Sequence, residues 1–175
     1  MTTQSDELVV VKDDMHLKTA MGDLIVTPGH LSLSYAKTNN WIIVPMESAL
    51  HFDDDDARRI SLAASKINIQ TCFAVPTENL ASTESFTMVL NEQALSAFST
   101  RCSLFNYILF PREMSFAILC TVDDYFLVAG SELFVTDATG MSVKEAKANF
   151  QGFANDEEWS DSTREFLVDV ANMYK

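Results

Sequence analysis

The chain has 175 residues and carries 25 acidic against 12 basic side chains, so its formal net charge is -13 at pH 7. This excess of carboxylates repels nucleic acid and anionic lipid and attracts basic partners. Hydrophobic residues make up 47% of the chain, with only five Gly and four Pro. That composition excludes a collagen-like, linker-rich or broadly disordered protein. We predict one domain over residues 1–175, with the first few residues disordered.

The sequence contains no feature of an exported or membrane-spanning protein. The segment Met1–Glu7 has neither a basic start nor a long apolar stretch, so it does not resemble a secretory signal. No window approaches the roughly 18 apolar residues that a membrane span needs. The three cysteines are widely spaced within apolar segments, which favours reduced core thiols over a disulfide framework: Cys72, Cys102 and Cys120. These features predict a cytoplasmic protein.

The first half of the chain combines short β-prone runs with one clear helix. Strands are predicted at Leu8–Val11, Leu24–Val26, Leu31–Tyr35, Trp41–Val44, Thr71–Val75 and Phe86–Leu90. The third and fourth of these are expected to form a hairpin, and Pro45 is expected to end the fourth. Asp53 or Asp54 is expected to cap a helix, because apolar residues follow at helical spacing.

The second half predicts a central hairpin followed by helices. Asn91 is expected to cap a helix, and Tyr107–Phe110 is predicted to be a strand. Two almost entirely apolar runs, Ser115–Val122 and Tyr125–Ala129, predict a buried hairpin joined by Asp123 and Asp124. Helices are then predicted over Ser131–Thr139, after the capping box Ser142–Glu145, and from Asp161 as N-cap, with Phe166, Leu167, Val170 and Tyr174 facing the core. We therefore predict an α+β fold with an antiparallel or mixed central sheet, helices packed on it and a helical C-terminal third.

The first acidic group is the block Asp53, Asp54, Asp55 and Asp56. One interpretation is a capped helix start with a solvated face; the other is a surface for a basic partner. Four consecutive helical residues point in four directions and cannot all bind one ion. The calcium-loop spacing also fails, because Arg58 and Ala64 occupy the positions that need Gly and Glu. We predict no metal site here.

The second acidic group comprises turn and loop residues of the C-terminal half. From Asp123 to Glu165 the sequence holds ten carboxylates against three cations, Lys144, Lys147 and Arg164. The candidate partner-binding residues in this region are Asp123, Asp124, Asp156, Glu157, Glu158 and Asp161. Turn chemistry alone accounts for Asp in such positions. Trp159, set among these carboxylates, either packs against the helix start or anchors a basic partner.

No catalytic or cofactor motif is present. The three histidines, His16, His30 and His51, have no Ser or Cys partner in a recognised local signature. Five glycines leave little material for a phosphate-binding loop. His51 lies beside the aspartate block, whose carboxylates are expected to favour its charged form. We predict a protein that is not an enzyme and has no cofactor.

A small, acidic, single-domain chain without catalytic apparatus resembles the bacterial immunity proteins that neutralise polymorphic or contact-dependent growth-inhibition toxins. The resemblance is one of class and composition over the whole chain. It implies an acidic toxin inhibitor that binds a basic protein, such as a nuclease domain, at its active site or substrate surface. It implies protein–protein interaction, with no direct binding of nucleic acid or membrane.

Three alternatives remain at this point. An acidic secretion chaperone or adaptor would hold an effector protein partly unfolded and would be dimeric. A small enzyme would assemble its site in space, with a histidine or paired carboxylates in a deep pocket. A DNA-mimic inhibitor would space its carboxylates like duplex phosphates.

Overall fold

A computed structural model of the protein describes residues 8–12, 14–49, 51–78, 80 and 83–175. The predicted disorder of the first residues concerns a segment outside the described residues. The strands of the described chain are β1 (Leu8–Val11), β2 (Ile25–Thr27), β3 (His30–Leu31), β4 (Ile42–Glu47), β5 (Thr71–Pro76), β6 (Ser85–Val89), β7 (Tyr107–Phe110), β8 (Phe116–Cys120) and β9 (Tyr125–Gly130). Its helices are α1 (Met15–Leu24), α2 (Leu33–Thr38), α3 (Asp54–Lys66), α4 (Glu92–Cys102), α5 (Glu132–Thr139), α6 (Val143–Ala154) and α7 (Asp161–Met173).

Seven of these strands form one sheet in the order β1-β6-β5-β7-β8-β9-β4, while β2 and β3 pair separately. Every neighbouring pair in the large sheet is antiparallel. The predicted α+β class is confirmed, and the sheet is antiparallel rather than mixed. None of the helices among the described residues has the length and apolarity needed to cross a bilayer.

Helices cover both faces of the large sheet. Successive strand residues point to opposite faces, so Ile118 of β8 packs in a cluster with α3, α4 and α5. Its neighbours Ala117 and Leu119 pack in a second cluster with α1, α6 and α7. This double coverage explains why β8 and β9 are apolar at nearly every position, as the sequence predicted. All three cysteines are free and buried, and burial raises the pKa of the Cys120 thiol.

The predicted strand Leu31–Tyr35 and its hairpin are wrong. Only His30 and Leu31 pair as a strand. Helix α2 begins at Leu33, because the Ser32 side chain accepts a hydrogen bond from the Tyr35 amide as an N-cap. The partner of β4 is β9, from a distant part of the chain. The strand also continues through Pro45, which an edge strand tolerates because a missing N–H can face away from its neighbour.

The helices differ from the sequence analysis in three other respects. Helix α1, capped by Asp14, was not predicted, because its sequence MHLKTAMGDL carries a weak apolar periodicity. The N-cap of α7 is Ser160 rather than Asp161, since the Ser160 hydroxyl accepts from the Thr163 amide. Phe166 was predicted to face the core but is 37% exposed, whereas Leu167, Val170 and Tyr174 are buried as predicted.

Candidate functional site

A cleft of about 660 Å³ opens where β4 ends, next to the β8–β9 turn and the start of α3. It is lined by Glu47, Ser48, Ala49, Phe52, Asp53, Asp54, Asp56, Ser96, Ser99, Thr100, Asp124, Phe153 and Trp159. Five of these residues are carboxylates, three are aromatic, and none of the described lining residues is Lys or Arg. We call this feature the acidic cleft.

The start of α3 forms one wall of the acidic cleft through a reciprocal capping box. Asp53 Oδ1 accepts from the Asp56 amide at 2.8 Å, and Asp56 Oδ2 accepts from the Asp53 amide at 3.2 Å. Asp56 also pairs with Arg59 at 2.6 Å. Burial raises the pKa of the Asp56 carboxyl, while Arg59 acts in the opposite direction. Asp56 is therefore a structural carboxylate, and Asp55 pairs with Arg58 outside the cleft.

Hydroxyl groups of α4 hold the adjoining segment in place. Ser96 Oγ donates to Asp54 Oδ1 at 2.9 Å, which ties the first turn of α3 to α4. Ser99 is buried and its Oγ donates to the Phe52 carbonyl at 2.8 Å. These bonds fix the orientation of Asp54 and Phe52 at the cleft. A site held by packed helices is more rigid than one built on free loops.

Glu47 and Asp124 supply the uncommitted carboxylates of the cleft, that is, those without a hydrogen-bond or ion-pair partner among the described residues. Glu47 ends β4 directly opposite Tyr125, and the Ser48 amide donates to the Asp124 carbonyl at 2.9 Å. Asp124 has a φ of +63°, a left-handed conformation that Asp and Asn tolerate better than most residues. Within the described chain, neither side-chain carboxylate forms a hydrogen bond or ion pair. Both are exposed, so they are available to an incoming cation.

Trp159 is half-buried and also lines the cleft. Its ring meets Phe153 edge-on at 5.2 Å, and its Nε1 donates to the Phe153 carbonyl at 2.8 Å. Arg164 fixes the same loop, because its guanidinium donates to the carbonyls of Asp156, Glu157 and Trp159 at 3.2–3.3 Å. The indole is thus oriented by its own loop while one side lines the acidic cleft. This geometry is consistent with both sequence interpretations of Trp159, packing and anchoring.

We expect Arg164→Lys to destabilise the protein by about 1–2 kcal/mol, because a lysine cannot reproduce the three hydrogen bonds of the guanidinium. The matched control is Arg58→Lys, which preserves the exposed ion pair with Asp55 and is expected to change stability by less than about 0.5 kcal/mol. Urea unfolding of both variants measures the difference. Equal midpoints for the two would show that Arg164 does not hold the loop.

His51 is a buried neutral residue behind the cleft, and the expectation that it is charged is wrong. It is 1% exposed, its ring stacks on Phe98 at 5.5 Å, and Nε2 lies 2.9 Å from the Phe105 carbonyl. Because a carbonyl only accepts, Nε2 carries the proton. The buried Nδ1 has no hydrogen-bond partner among the described residues. Burial lowers the pKa of His51 to about 4, since desolvation outweighs the hydrogen bond to the Phe105 carbonyl.

The fold brings together part of each acidic group proposed from the sequence. Asp53, Asp54 and Asp56 meet Asp124 and Trp159 in the cleft, although about 100 residues separate the first of these from the last. Asp123 is exposed in the same turn but is not part of the lining. Glu157, Glu158 and Asp161 are exposed beyond it, as are Asp55 and Asp156.

Sequence reasoning missed Glu47, Phe52 and Phe153 as cleft residues. Glu47 carries no local signal, because its position depends on the pairing of β4 with β9. Among the described residues, no group of three or more His, Cys, Asp or Glu side chains is arranged to hold a metal ion. The cleft thus combines carboxylates with aromatic side chains in one lining.

No protein-family model, curated protein or solved structure matches this chain.

Proposed function

We propose that this chain is an acidic binding protein that neutralises a basic protein partner through the acidic cleft. The observation that carries the proposal is the convergence of Glu47, Asp53, Asp54 and Asp124 around an aromatic surface that includes Trp159. These residues come from four separate segments of the chain. Their convergence supports recognition of a cation more strongly than the net charge alone.

The chemistry of the cleft suits a Lys or Arg side chain presented by a folded protein. Carboxylates form strong, charge-assisted hydrogen bonds with guanidinium and ammonium groups. An aromatic ring beside them adds a cation–π contribution and contact area for the aliphatic part of the side chain. Trp159 and Phe153 provide such rings at one side of the cleft. The acidic surface around the cleft accelerates encounter with a basic partner at low ionic strength.

The most concrete form of this proposal is an immunity protein that acts in the cytoplasm against a toxin nuclease. A nuclease must attract phosphate, so its substrate surface is lined with Lys and Arg. A carboxylate-lined cleft competes for those side chains and blocks access of the nucleic acid. Sites on rigid elements favour such inhibition, because little conformational freedom is lost on binding.

The test is a capture experiment from the native host at low and high salt, with three baits and mass spectrometry of the bound proteins. The baits are the wild type, the cleft variant Glu47→Gln/Asp124→Asn and the control variant Glu113→Gln/Glu132→Gln. We expect one basic protein, bound stoichiometrically by the wild type and the control but not by the cleft variant, and released by salt. We also expect the chain to inhibit that protein's nuclease activity at an equimolar ratio.

Other outcomes separate the alternatives. A dimer that retains a partly unfolded client would indicate a secretion chaperone or adaptor. A captured partner that is itself a DNA-binding protein without nuclease activity would favour a DNA mimic. Equal capture by all three baits would overturn the assignment of the acidic cleft, whatever the partner is.

A further inference from the structure

A second groove lies at the other end of β4 and has the opposite charge. It has a volume of about 430 Å³ and is lined by Leu33, Ala36, Lys37, Trp41, Ile42, Ile43, Lys147, Met173, Tyr174 and Lys175. None of these lining residues is acidic. We call this feature the lysine groove. Ile42 of the lysine groove begins β4 and Glu47 of the acidic cleft ends it, so the two residues lie about 17 Å apart along the strand.

The lysines of this groove are unusual in a chain with twice as many acidic as basic residues. Five other cations pair with carboxylates: Arg58, Arg59, Lys66, Arg101 and Arg164. By contrast, Lys37, Lys147 and Lys175 form no ion pair within the described part of the chain. Lys147 is half-buried, and burial lowers the pKa of its ammonium group. A cation that is partly desolvated without a counter-charge is stabilised by an incoming anion.

An apolar groove continues directly from the lysine groove. It has a volume of about 430 Å³, is lined by Val26, Thr27, His30, Leu31, Ser32, Leu33, Ser34 and Met173, and shares Leu33 and Met173 with the lysine groove. Val26 is 67% exposed, Leu33 50% and Met173 42%. Exposed apolar side chains that gather in a concave surface mark binding sites more often than isolated ones do.

We propose that the two connected grooves bind a single-chain anionic amphiphile, with its carboxylate or phosphate head group at Lys37 and Lys147 and its alkyl chain across Leu33 and Met173. The lysines favour an anionic head group, and the apolar residues that the two grooves share favour an alkyl tail. Trp41 also lines the lysine groove. A free ligand is favoured over an anionic membrane, because the net charge of -13 opposes approach to such a surface.

The proposal is tested by titrating the chain with octanoate, octyl phosphate, octanol and inorganic phosphate. Calorimetry of the unmodified chain measures affinity, and fluorescence of a Trp159→Phe chain reports on Trp41 alone, because the sequence has two tryptophans. We expect saturable binding of both octyl anions and at least tenfold weaker binding of octanol and of inorganic phosphate. Octanol binding as tightly as octanoate, or phosphate binding as tightly as octyl phosphate, would overturn the proposal.

Two variants and a control test the residues. The double variant Lys37→Gln/Lys147→Gln is expected to bind both octyl anions about tenfold more weakly. The variant Leu33→Ser is expected to bind the octyl anions more weakly while its affinity for inorganic phosphate stays unchanged. The control is Lys144→Gln, which removes an exposed lysine one turn from Lys147 on α6 and is expected to leave affinity unchanged. Unchanged affinity in the double variant would refute the assigned head-group site.

Vesicles and self-association supply the remaining outcomes. The chain is expected not to sediment with phosphatidylserine–phosphatidylcholine vesicles. Its molar mass in solution is expected to change with dilution no differently in the wild type and in Leu33→Ser. If the chain sediments with the vesicles but does not bind octyl phosphate, the grooves contact a membrane. A dimer that Leu33→Ser dissociates would make them an interface between two copies. Either result would overturn the free-ligand proposal, and neither bears on the acidic cleft.

Discussion

Lowering the pH from 7 to 4 is expected to remove about 3 kcal/mol of folding free energy through His51 alone. Burial lowers the pKa of His51 from 6.5 to about 4 in the folded chain. Between these two values the unfolded chain binds the proton and the folded chain does not, so stability falls as the pH falls. A difference of about 2.5 pH units in pKa corresponds to roughly 3 kcal/mol.

Urea unfolding of the wild type and of His51→Gln between pH 4 and 7 measures this contribution. Because Gln does not titrate, the wild-type free energy of unfolding should change more steeply with pH than that of His51→Gln. Subtracting the two curves removes the shared contribution of the carboxylates. The control variant is His30→Gln, which removes a half-exposed histidine in the β2–β3 hairpin. Parallel curves for the wild type and His51→Gln would contradict a buried neutral His51.

Neutralising the two uncommitted carboxylates of the acidic cleft is expected to slow association with a basic partner about tenfold at low salt. The variant Glu47→Gln/Asp124→Asn removes both charges and keeps side chains of similar size. Asn also tolerates the left-handed conformation of residue 124, so folding is preserved. The measurement is the association rate of the captured partner over a series of ionic strengths, in which the variant should show a shallower salt dependence.

The control variant Glu113→Gln/Glu132→Gln changes the net charge by the same amount. Glu113 precedes β8 and Glu132 follows β9, so both lie at the end of these strands opposite the Asp124 turn. We expect its association rate to stay within about twofold of the wild type, because screening confines the effect of a surface charge to its surroundings. Equal slowing by both variants would mean that total charge, rather than the cleft, drives the encounter.

Local chemistry was a sufficient guide to most helix starts and to the central hairpin. Asp53, Asn91 and Ser142 cap helices as predicted, because a capping side chain bonds to an amide only three residues away. The run Phe116–Cys120 is apolar throughout because both of its faces are covered, and that property is visible in the residues themselves. The failures had three causes. The local N-cap of Ser32 was overlooked in Leu31–Tyr35, the expected hairpin partner β4 pairs with the distant β9, and α1 has a weak apolar pattern.

His51 shows that distant residues can overrule its sequence neighbours. Its sequence neighbours are aspartates, and proximity alone predicts a charged imidazole. In the fold, the ring stacks on Phe98 and donates to the Phe105 carbonyl, both about 50 residues away. Desolvation in this environment lowers the pKa of His51 and outweighs the hydrogen bond to the Phe105 carbonyl, which acts in the opposite direction.

The sequence by itself determined that the chain is acidic and that it folds as α+β with capped helices and a buried hairpin. It also identified Asp53, Asp54 and Asp124, but not Glu47, as candidate binding carboxylates. Only the tertiary structure decided which of these carboxylates meet. The antiparallel pairing of β4 with β9 brings Glu47 to the Asp124 turn, and the packing of α3 and of the α6–α7 loop adds Asp53, Asp54 and Trp159. Capping and periodicity act within a few residues, whereas strand pairing and helix packing join segments about 100 residues apart, so no local pattern encodes the cleft.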